Sequence, residues 1–527
     1  MGYIKNLHLI GFKKFKNFSI DFNQAVNILV GENESGKSTV IEALDVLLNK
    51  TYENSDKYIL SELFNSDCVK GFTQDPSFET LPSIEIIGEF ELNDKDKYSG
   101  EFYGVNWKDS DRKTSKYGIW FKCQIDKELK PDIAGLLMKG IIPYEYYSLT
   151  WTTFKNEPYN RLRKTISFVP IDSSNSTNYN AFDNYAKRLF LKKCEDALPK
   201  VKTDFNEHMD TGFASLCLPD FETGKKFGLN HKKLILENIV GILDHNILIE
   251  NKGRGEEKII KTNLSLDDKQ NNDVIAIEEP ENNLSHGNLR KLIKSIESKC
   301  AGKQLIVTTH SALIVTGLSL ENVIWITEND KKMLKDLDKK KTSDYFKKLE
   351  NDNLLRFILA NKVILVEGPT EALLLPRMYS QENTRTLDEE GIDIISCNGL
   401  SFEKYLEIGE ALNKKVAVLT DNDGDKKKID RWNAVNSTKE MTKVYMAQDP
   451  VDYTWEVCVK KANEELVGKI LPVDRDAEYL VNGKSFEDKT LAYMLLHKVD
   501  VSLKLIESGQ HIAIPNHVKE LLEWIKK

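Results

Sequence analysis

Cysteine is scarce here: 7 residues in 527, at positions 68, 123, 194, 217, 300, 397 and 458. None forms a CxxC pair and the count is odd. That argues against a disulfide framework or a thiolate zinc site and points to a reducing, cytoplasmic setting. The 9 histidines form no HExxH or similar cluster. No apolar run reaches the roughly 18 residues of a membrane helix, so no membrane partner is expected. The opening MGYIKNLHLIGFKKF lacks the apolar core and cleavage site of a signal peptide. An excess of basic residues is also missing: 74 Lys and Arg stand against 82 Asp and Glu, a net charge of −8. This argues against a passive nucleic-acid coat but does not exclude a nuclease, whose metal-binding carboxylates are acidic by necessity. Hydrophobic residues at 40% and charged residues at 30% fit a soluble chain with a sizeable core. The length predicts two or three domains.

No internal repeat is present. Residues 3–10, 25–30, 84–92, 118–125 and 145–151 read as strands, and 181–209 as a helix. Residues 94–116 are polar and read as a loop, and 210–265 is mixed. A strand–loop–helix unit at 273–300 is followed by a strand at 304–309. The Lys-rich segment 331–348 separates this part from a second series of strands at 363–366, 392–396 and 416–420. The alternation predicts α/β architecture in both parts, with a boundary near 355.

The chemistry-bearing motifs fall into two sets. In the first, Gly31-Glu32-Asn33-Glu34-Ser35-Gly36-Lys37-Ser38-Thr39 matches G-x-x-x-x-G-K-[ST] between a strand and a helix, the context a P-loop requires. Backbone N–H groups of such a loop, with the helix N-terminus, cradle phosphates. Lys37 reaches the β- and γ-oxygens, and Ser38 gives a hydroxyl to Mg²⁺. Asn33, Gly36 and Thr39 complete the nucleotide set. The strand Val274–Ile277 ends in Glu278 and Glu279, read respectively as holding the Mg²⁺ water shell and orienting the attacking water. A second apolar strand, Leu305–Thr309, ends in His310, a γ-phosphate sensor candidate.

These three elements, with Phe12-Lys13-Lys14-Phe15 ahead of the P-loop, resemble the ATPase heads of the ABC superfamily, especially the RecF/SMC-like branch. The resemblance covers roughly residues 1–330 and implies ATP binding and head dimerisation. In the place of the family's Ser-Gly-Gly signature loop stands Lys252-Gly253-Arg254-Gly255-Glu256, and Glu278 replaces the usual Asp. Both departures point to slow hydrolysis, or to ATP binding used as a switch.

In the second set, the strand Val363–Val366 leads into Glu367-Gly368-Pro369-Thr370-Glu371, and Val416–Thr420 leads into Asp421-Asn422-Asp423. Parallel strands end at one sheet edge, so Glu367, Asp421 and Asp423 are expected to converge there. Carboxylates so gathered repel one another unless a hard cation such as Mg²⁺ or Mn²⁺ neutralises them. The hhhEGxxE…DxD order resembles the Toprim fold of topoisomerases, primases and certain nucleases.

An ABC-like head followed by a Toprim domain resembles the OLD (overcoming lysogenization defect) nuclease family over essentially the whole chain. The resemblance implies an ATPase domain at 1–355, with a helical dimerisation insertion at about 175–250, and a nuclease domain at 356–527. It implies two-metal DNA cleavage, with Glu367, Glu371, Asp421, Asp423, Thr454 and Glu456 as metal-site residues. Lys489 is the first choice for a lysine facing the scissile phosphate, and Lys484 the second. Lys426, Lys427 and Lys428 are candidates for gripping the DNA backbone. The implied protein is an ATP-regulated DNA endonuclease, dimeric or tetrameric, acting in bacterial antiphage defence. A helicase, or a reverse transcriptase with its non-coding DNA, is the candidate partner. Two other readings stay open: a DNA-sensing ATPase scaffold that does not cut, and a topoisomerase-like enzyme.

Overall fold

The computed structural model describes residues 2–92, 97–106, 114–159, 165–171, most of 186–218, 225, 227–267, 273–327, 331–333, 352–397, 402–474, 478–481 and 484–527. The chain divides into two compact units, Met1–His310 with Ile326–Lys331, and Ser311–Trp325 with Lys332–Lys527.

The first unit is built on two large sheets, besides the short hairpin of Leu243–Asp244 with Ile247–Leu248. One is antiparallel: Phe15–Asp21 pairs with Tyr3–Phe12, which pairs with Ile84–Glu91, which pairs with Ser115–Gln124. Short Tyr103–Val105 and longer Ser148–Thr153 share the far edge of Ser115–Gln124. The other sheet has six strands, in the order Lys331–Met333, Val323–Ile326, Val26–Val30, Gln304–Thr308, Val274–Glu278, Phe168–Ile171, and the last four run parallel. These four read as continuous apolar runs because both faces are buried.

One buried amide ties the sheets together. Gln304 Oε1 accepts from the Ile4 N–H at 2.9 Å, while Nε2 donates to the carbonyls of Ile4 at 2.8 Å and Asn23 at 2.9 Å. Helix Lys37–Asn49 buries Val40, Ile41, Ala43, Leu44, Val46, Leu47 and Leu48. Near its C-terminus, where helical donors run out, side chains add donors to the carbonyls. Trp151 Nε1 donates to the Val46 carbonyl at 2.9 Å, and the Tyr159 hydroxyl to the Leu48 carbonyl at 3.0 Å.

The second unit is built on a four-stranded parallel sheet in the order Ile392–Ser396, Lys362–Val366, Lys415–Leu419, Thr442–Tyr445. The chain steps from the second position outward to one edge, then back across to the other side. The two central strands therefore flank a topological switch point, where a crevice opens at the strand C-termini. Helix Pro369–Glu382 and the C-terminal helices Lys498–Glu507 and Asn516–Lys526 bury Leu374, Met378, Val501, Leu505, Val518 and Leu521 in the core.

The single boundary expected near 355 differs from this division, because residues 311–325 join the second unit. The helices Ala312–Gly317 and Asp352–Leu359 pack together there. Lys414 Nζ lies 4.2 Å from the Trp325 ring centroid and donates to the Phe357 and Ile358 carbonyls at 2.9 and 2.7 Å.

The helix expected over 181–209 is observed at Leu198–Ala214, and part of the expected span lies outside the described residues. The same holds for much of the 175–250 insertion and for nearly all of the Lys-rich 331–348 segment. Among the described residues no helix is long and apolar enough to cross a membrane.

Candidate functional sites

The P-loop of the first unit follows the buried strand Val26–Val30 and ends at helix Lys37–Asn49. Gly36 sits at φ +102°, where a Cβ would lie 2.3 Å from the Phe15 ring. Glycine is therefore required twice over, by dihedral and by space. Phe15 is itself stacked on Phe18 at 4.1 Å between centroids, so the phenylalanine–basic–phenylalanine stretch buttresses the loop from behind. Lys37 is buried and donates to the loop's own carbonyls, Gly31 and Glu32, both at 2.9 Å. Burial holds its ammonium below the usual lysine range, offset in part by the charges of Glu279 and Glu281. The Ser35 hydroxyl is buried and has no hydrogen-bond partner. Asn33 and Ser38 are exposed and Thr39 half-buried, which leaves them accessible to a nucleotide.

The acidic strand end closes on the same loop. Glu278 is the last strand residue, and Glu279 turns out of it with φ +40°. The Glu279 N–H donates to the Thr308 carbonyl at 3.0 Å, and the Lys258 ammonium donates to the Glu279 carbonyl. His310 Nε2 stands 3.8 Å from Glu279 Oε1. Burial, then the Lys37 charge, pulls the His310 imidazole below its ordinary value, against the opposing pull of Glu279 and Glu281.

Sequence reasoning gave no role to Glu281. Its Oε1 accepts from the Thr309 hydroxyl at 2.9 Å and the His310 N–H at 2.6 Å, and its Oε2 is buried without a partner. The signal was present as the last acid of Glu278-Glu279-Pro280-Glu281, but nothing in the pattern separates it from a solvated loop acid. Gly253 precedes helix Arg254–Asp267, and a Cβ on Gly255 would lie 2.3 Å from the Asn283 carbonyl. The glycine at 255 thus serves close packing beside the acidic turn.

In the second unit, Glu367, Glu371, Asp421 and Glu456 line one cavity of about 300 Å³, with Thr370, Trp455 and Lys498. Glu367 follows its strand directly and accepts from the Thr420 hydroxyl and, at 3.3 Å, from the Asp421 N–H. The adjacent parallel strands thus lock together at their C-termini. Glu371, in the first turn of its helix, accepts from the Thr370 hydroxyl at 2.9 Å. Burial, then the charges of Glu367, Glu371 and Glu456, pushes Asp421 up to about 7. Burial also raises Glu371, against its backbone and Thr370 hydrogen bonds. Glu456 is buried in helix Trp455–Ala462, and its Oε2 has no hydrogen-bond partner. Lys498 Nζ stands 2.9 Å from Glu456 Oε1, an ion pair rather than an aligned hydrogen bond.

Three residues expected at this site do not line the cavity. Asp423 adopts φ +55°, which turns its side chain outward; it is 66% exposed and pairs with Lys428 at 2.6 Å. Thr454 caps its helix, accepting from the Val457 N–H at 3.5 Å. Lys489 opens helix Lys489–Leu496, whose N-cap is Asp488. Lys498, which no motif marks, is the cavity's lysine. Lys484 lies in the short strand Lys484–Ser485, and its side chain is outside the described residues. Among Lys426–Lys428, Lys426 pairs with Asp430 at 3.2 Å and Lys428 with Asp423. Among the described residues, no three His, Cys, Asp or Glu side chains are gathered closely enough to hold a metal ion as they stand. The donor chemistry still suits a hard cation: all-oxygen ligands, a buried carboxylate oxygen without a partner, and an aspartate raised by its neighbours.

A P-loop with an acidic strand end and a strand-end histidine, followed by a parallel sheet with carboxylates at its switch point, defines an ATPase head joined to a Toprim domain. Family models agree: residues 6–206 match an AAA domain, residues 259–316 an AAA domain described as putative AbiEii toxin of a type IV TA system, and residues 358–423 the Toprim domain of overcoming lysogenization defect protein-like proteins. Over residues 358–423 the chain is thus similar to the Toprim domain of OLD-family proteins, in line with the resemblance its motifs carry. It is 26% identical over 166 residues to the Old nuclease of Escherichia phage P2, covering 29% of this chain and 28% of that one. It is 43% identical over 60 residues to the DNA replication and repair protein RecF of Clostridium acetobutylicum, covering 11% and 16%. It therefore spans less than a third of either relative's length. A solved C-terminal region of the Burkholderia pseudomallei OLD protein aligns with a TM-score of 0.22 at 18% identity, covering 32% of this chain and 97% of that one. An SMC head domain from Thermotoga maritima aligns with a TM-score of 0.30 at 14% identity, covering 63% and 98%.

Proposed function

We propose that this chain is an ATP-regulated, divalent-metal-dependent DNA endonuclease. The observation that carries the reading is the convergence of Glu367, Glu371, Asp421 and Glu456 on one cavity at a parallel-sheet switch point, with Asp421 pushed up to about 7. Such a site favours binding a cation over staying empty. Mg²⁺ or Mn²⁺ bound there would neutralise these carboxylates and make water a better nucleophile at neutral pH. Glu367, fixed by the Thr420 hydroxyl and the Asp421 N–H, and Asp421 beside it would be the central ligands. Glu456 would offer its unpartnered Oε2, and Glu371 would join them. Asp423 and Thr454 would join only if the Asp423 side chain left Lys428 and the Thr454 hydroxyl left its cap. Lys498 at the cavity wall, with Lys489 as the earlier candidate, would steady charge on the phosphate.

In the first unit, the P-loop N–H groups, Lys37 and Ser38 would bind the phosphates and Mg²⁺ of ATP, with Asn33, Gly36 and Thr39 around them. Glu278 would hold the magnesium shell, Glu279 orient the water, and His310 sense the γ-phosphate. The Lys37 ammonium, now satisfied by the loop's own carbonyls, would exchange those for phosphate oxygens. Binding here would set the assembly or gate cutting more than drive rapid turnover. The wider reading is a cytoplasmic homo-oligomer, dimeric or tetrameric, serving as effector of a bacterial antiphage system. A helicase or a reverse transcriptase with its non-coding DNA would be its partner.

The test is nicking of supercoiled plasmid with Mg²⁺ or Mn²⁺, with ATP varied. The wild-type chain should nick and Asp421→Ala should not; equal activity in both would remove the assignment. The outward turn of Asp423 onto Lys428 favours one alternative, a scaffold that binds DNA without cutting. It predicts DNA retention with no nicking under every metal.

A further inference from the structure

Lys498 is the one cation among the residues lining the carboxylate cavity. It is the first residue of helix Lys498–Glu507 and so sits at the positive end of that helix. Its Nζ is 2.9 Å from Glu456 Oε1, and its side chain is 48% exposed while that of Glu456 is 5% exposed. The glutamate is thus fixed inside the fold, and the lysine reaches in from solvent along a flexible stem. A carboxylate buried to that degree is costly without a counter-charge. In the metal-free chain, the ammonium is the group placed to supply it.

We propose that Lys498 is an internal counter-ion, which occupies Glu456 in the metal-free protein and must be displaced before that carboxylate can join a divalent cation. The lysine then sets the metal affinity of the site. It keeps the cavity folded when the cation is absent, and it raises the concentration at which the cation enters. Exposure of the stem makes the exchange possible without backbone movement, since the side chain can swing into solvent as the cation arrives. The inference rests on the metal-site reading above and concerns its regulation.

The test is Mn²⁺ binding to the full chain, without DNA or nucleotide, followed by calorimetry or by the spin signal of free Mn²⁺. Lys498→Gln should bind Mn²⁺ at least about fivefold more tightly than wild type, and Lys498→Arg, which keeps the charge, within about twofold of it. In a Glu456→Gln background the effect of Lys498→Gln should shrink below about twofold, because the contested carboxylate is gone. Unchanged or weaker binding by Lys498→Gln with a native circular dichroism spectrum overturns the counter-ion role. So does a gain of equal size in the Glu456→Gln background, which would mean a diffuse charge effect. Uptake by neither wild type nor Lys498→Gln overturns the metal-site reading with it. Uptake by both at equal affinity removes the counter-ion role alone.

Discussion

Asp421 is the residue on which the second site turns, and its titration makes a checkable stability claim. Its carboxyl is pushed up to about 7 from an ordinary value of 3.8, by burial first and by Glu367, Glu371 and Glu456 next. Because the folded value is raised, the favourable contribution is complete below the unfolded value and is lost as pH rises through the folded one. The metal-free chain should therefore lose stability between about pH 4 and pH 7 on account of this group. Asp421→Asn, isosteric and neutral, should stabilise the metal-free protein at pH 8 by about 1–4 kcal/mol, while making little difference at pH 4. It should also abolish the rise in melting temperature that Mn²⁺ is expected to give the wild type. Urea unfolding at the two pH values, with and without Mn²⁺, decides it; a variant less stable than wild type at pH 8 would contradict the claimed repulsion. The acids at strand ends were legible in the sequence because an apolar run that stops at Glu367 or Asp421 puts the acid on the sheet edge. Asp423 and Lys498 were not legible in their actual places. The D-x-D spacing is silent on the positive φ that turns Asp423 outward, and Lys498 is one lysine among many, brought to the cavity by packing of a late helix.

At the scale of elements, the apolar strands and the P-loop helix were legible because their burial is continuous or periodic. Thr442–Tyr445 was not: its burial alternates, and Lys443 interrupts a run of four residues. Phe168–Ile171, likewise four residues with a proline at position 170, carries too short a pattern to separate from a loop. The joint between the two sheets of the first unit was also invisible, since it depends on one polar side chain, Gln304, at the head of an apolar strand. Gln304→Leu keeps the volume but removes three hydrogen bonds, taking the buried partner from the Ile4 N–H and the Ile4 carbonyl, while the Asn23 carbonyl keeps its bond from Asn27 Nδ2. Each such group costs about 1–3 kcal/mol, so a total loss of at least about 2 kcal/mol is expected in denaturant unfolding. Within the P-loop, Gly36→Ala meets both a strained dihedral and the Phe15 ring. It should reduce ATP affinity at least about tenfold, since an alanine at φ +102° shifts the N–H groups that face the phosphates. Shaving Phe15 to leucine should leave most of that loss in place, because the dihedral, and not only the clash, sets it.

The two sets of candidate residues lie in separate units, each on its own parallel strands, with its own acidic strand ends and its own lysine. Lys37 sits among the P-loop carbonyls of one unit, and Lys498 at the carboxylate cavity of the other. If each unit binds its own ligand, single substitutions should separate the two bindings cleanly. Lys37→Ala removes the one ammonium in direct contact with the P-loop carbonyls, so ATP affinity should fall by at least about tenfold, the order of one lost charge-assisted contact. The same variant should keep its Mn²⁺-dependent rise in melting temperature. Asp421→Asn should show the converse, with ATP affinity within about twofold of wild type and no response to Mn²⁺. Nicking is where the units must meet, because only the joint activity can report regulation. Plasmid nicking by Lys37→Ala should no longer respond to added ATP, whatever its level without nucleotide. A Lys37→Ala chain that still answers to ATP would place the nucleotide's effect outside the P-loop and dissolve the division of labour on which the ATP-regulated reading depends.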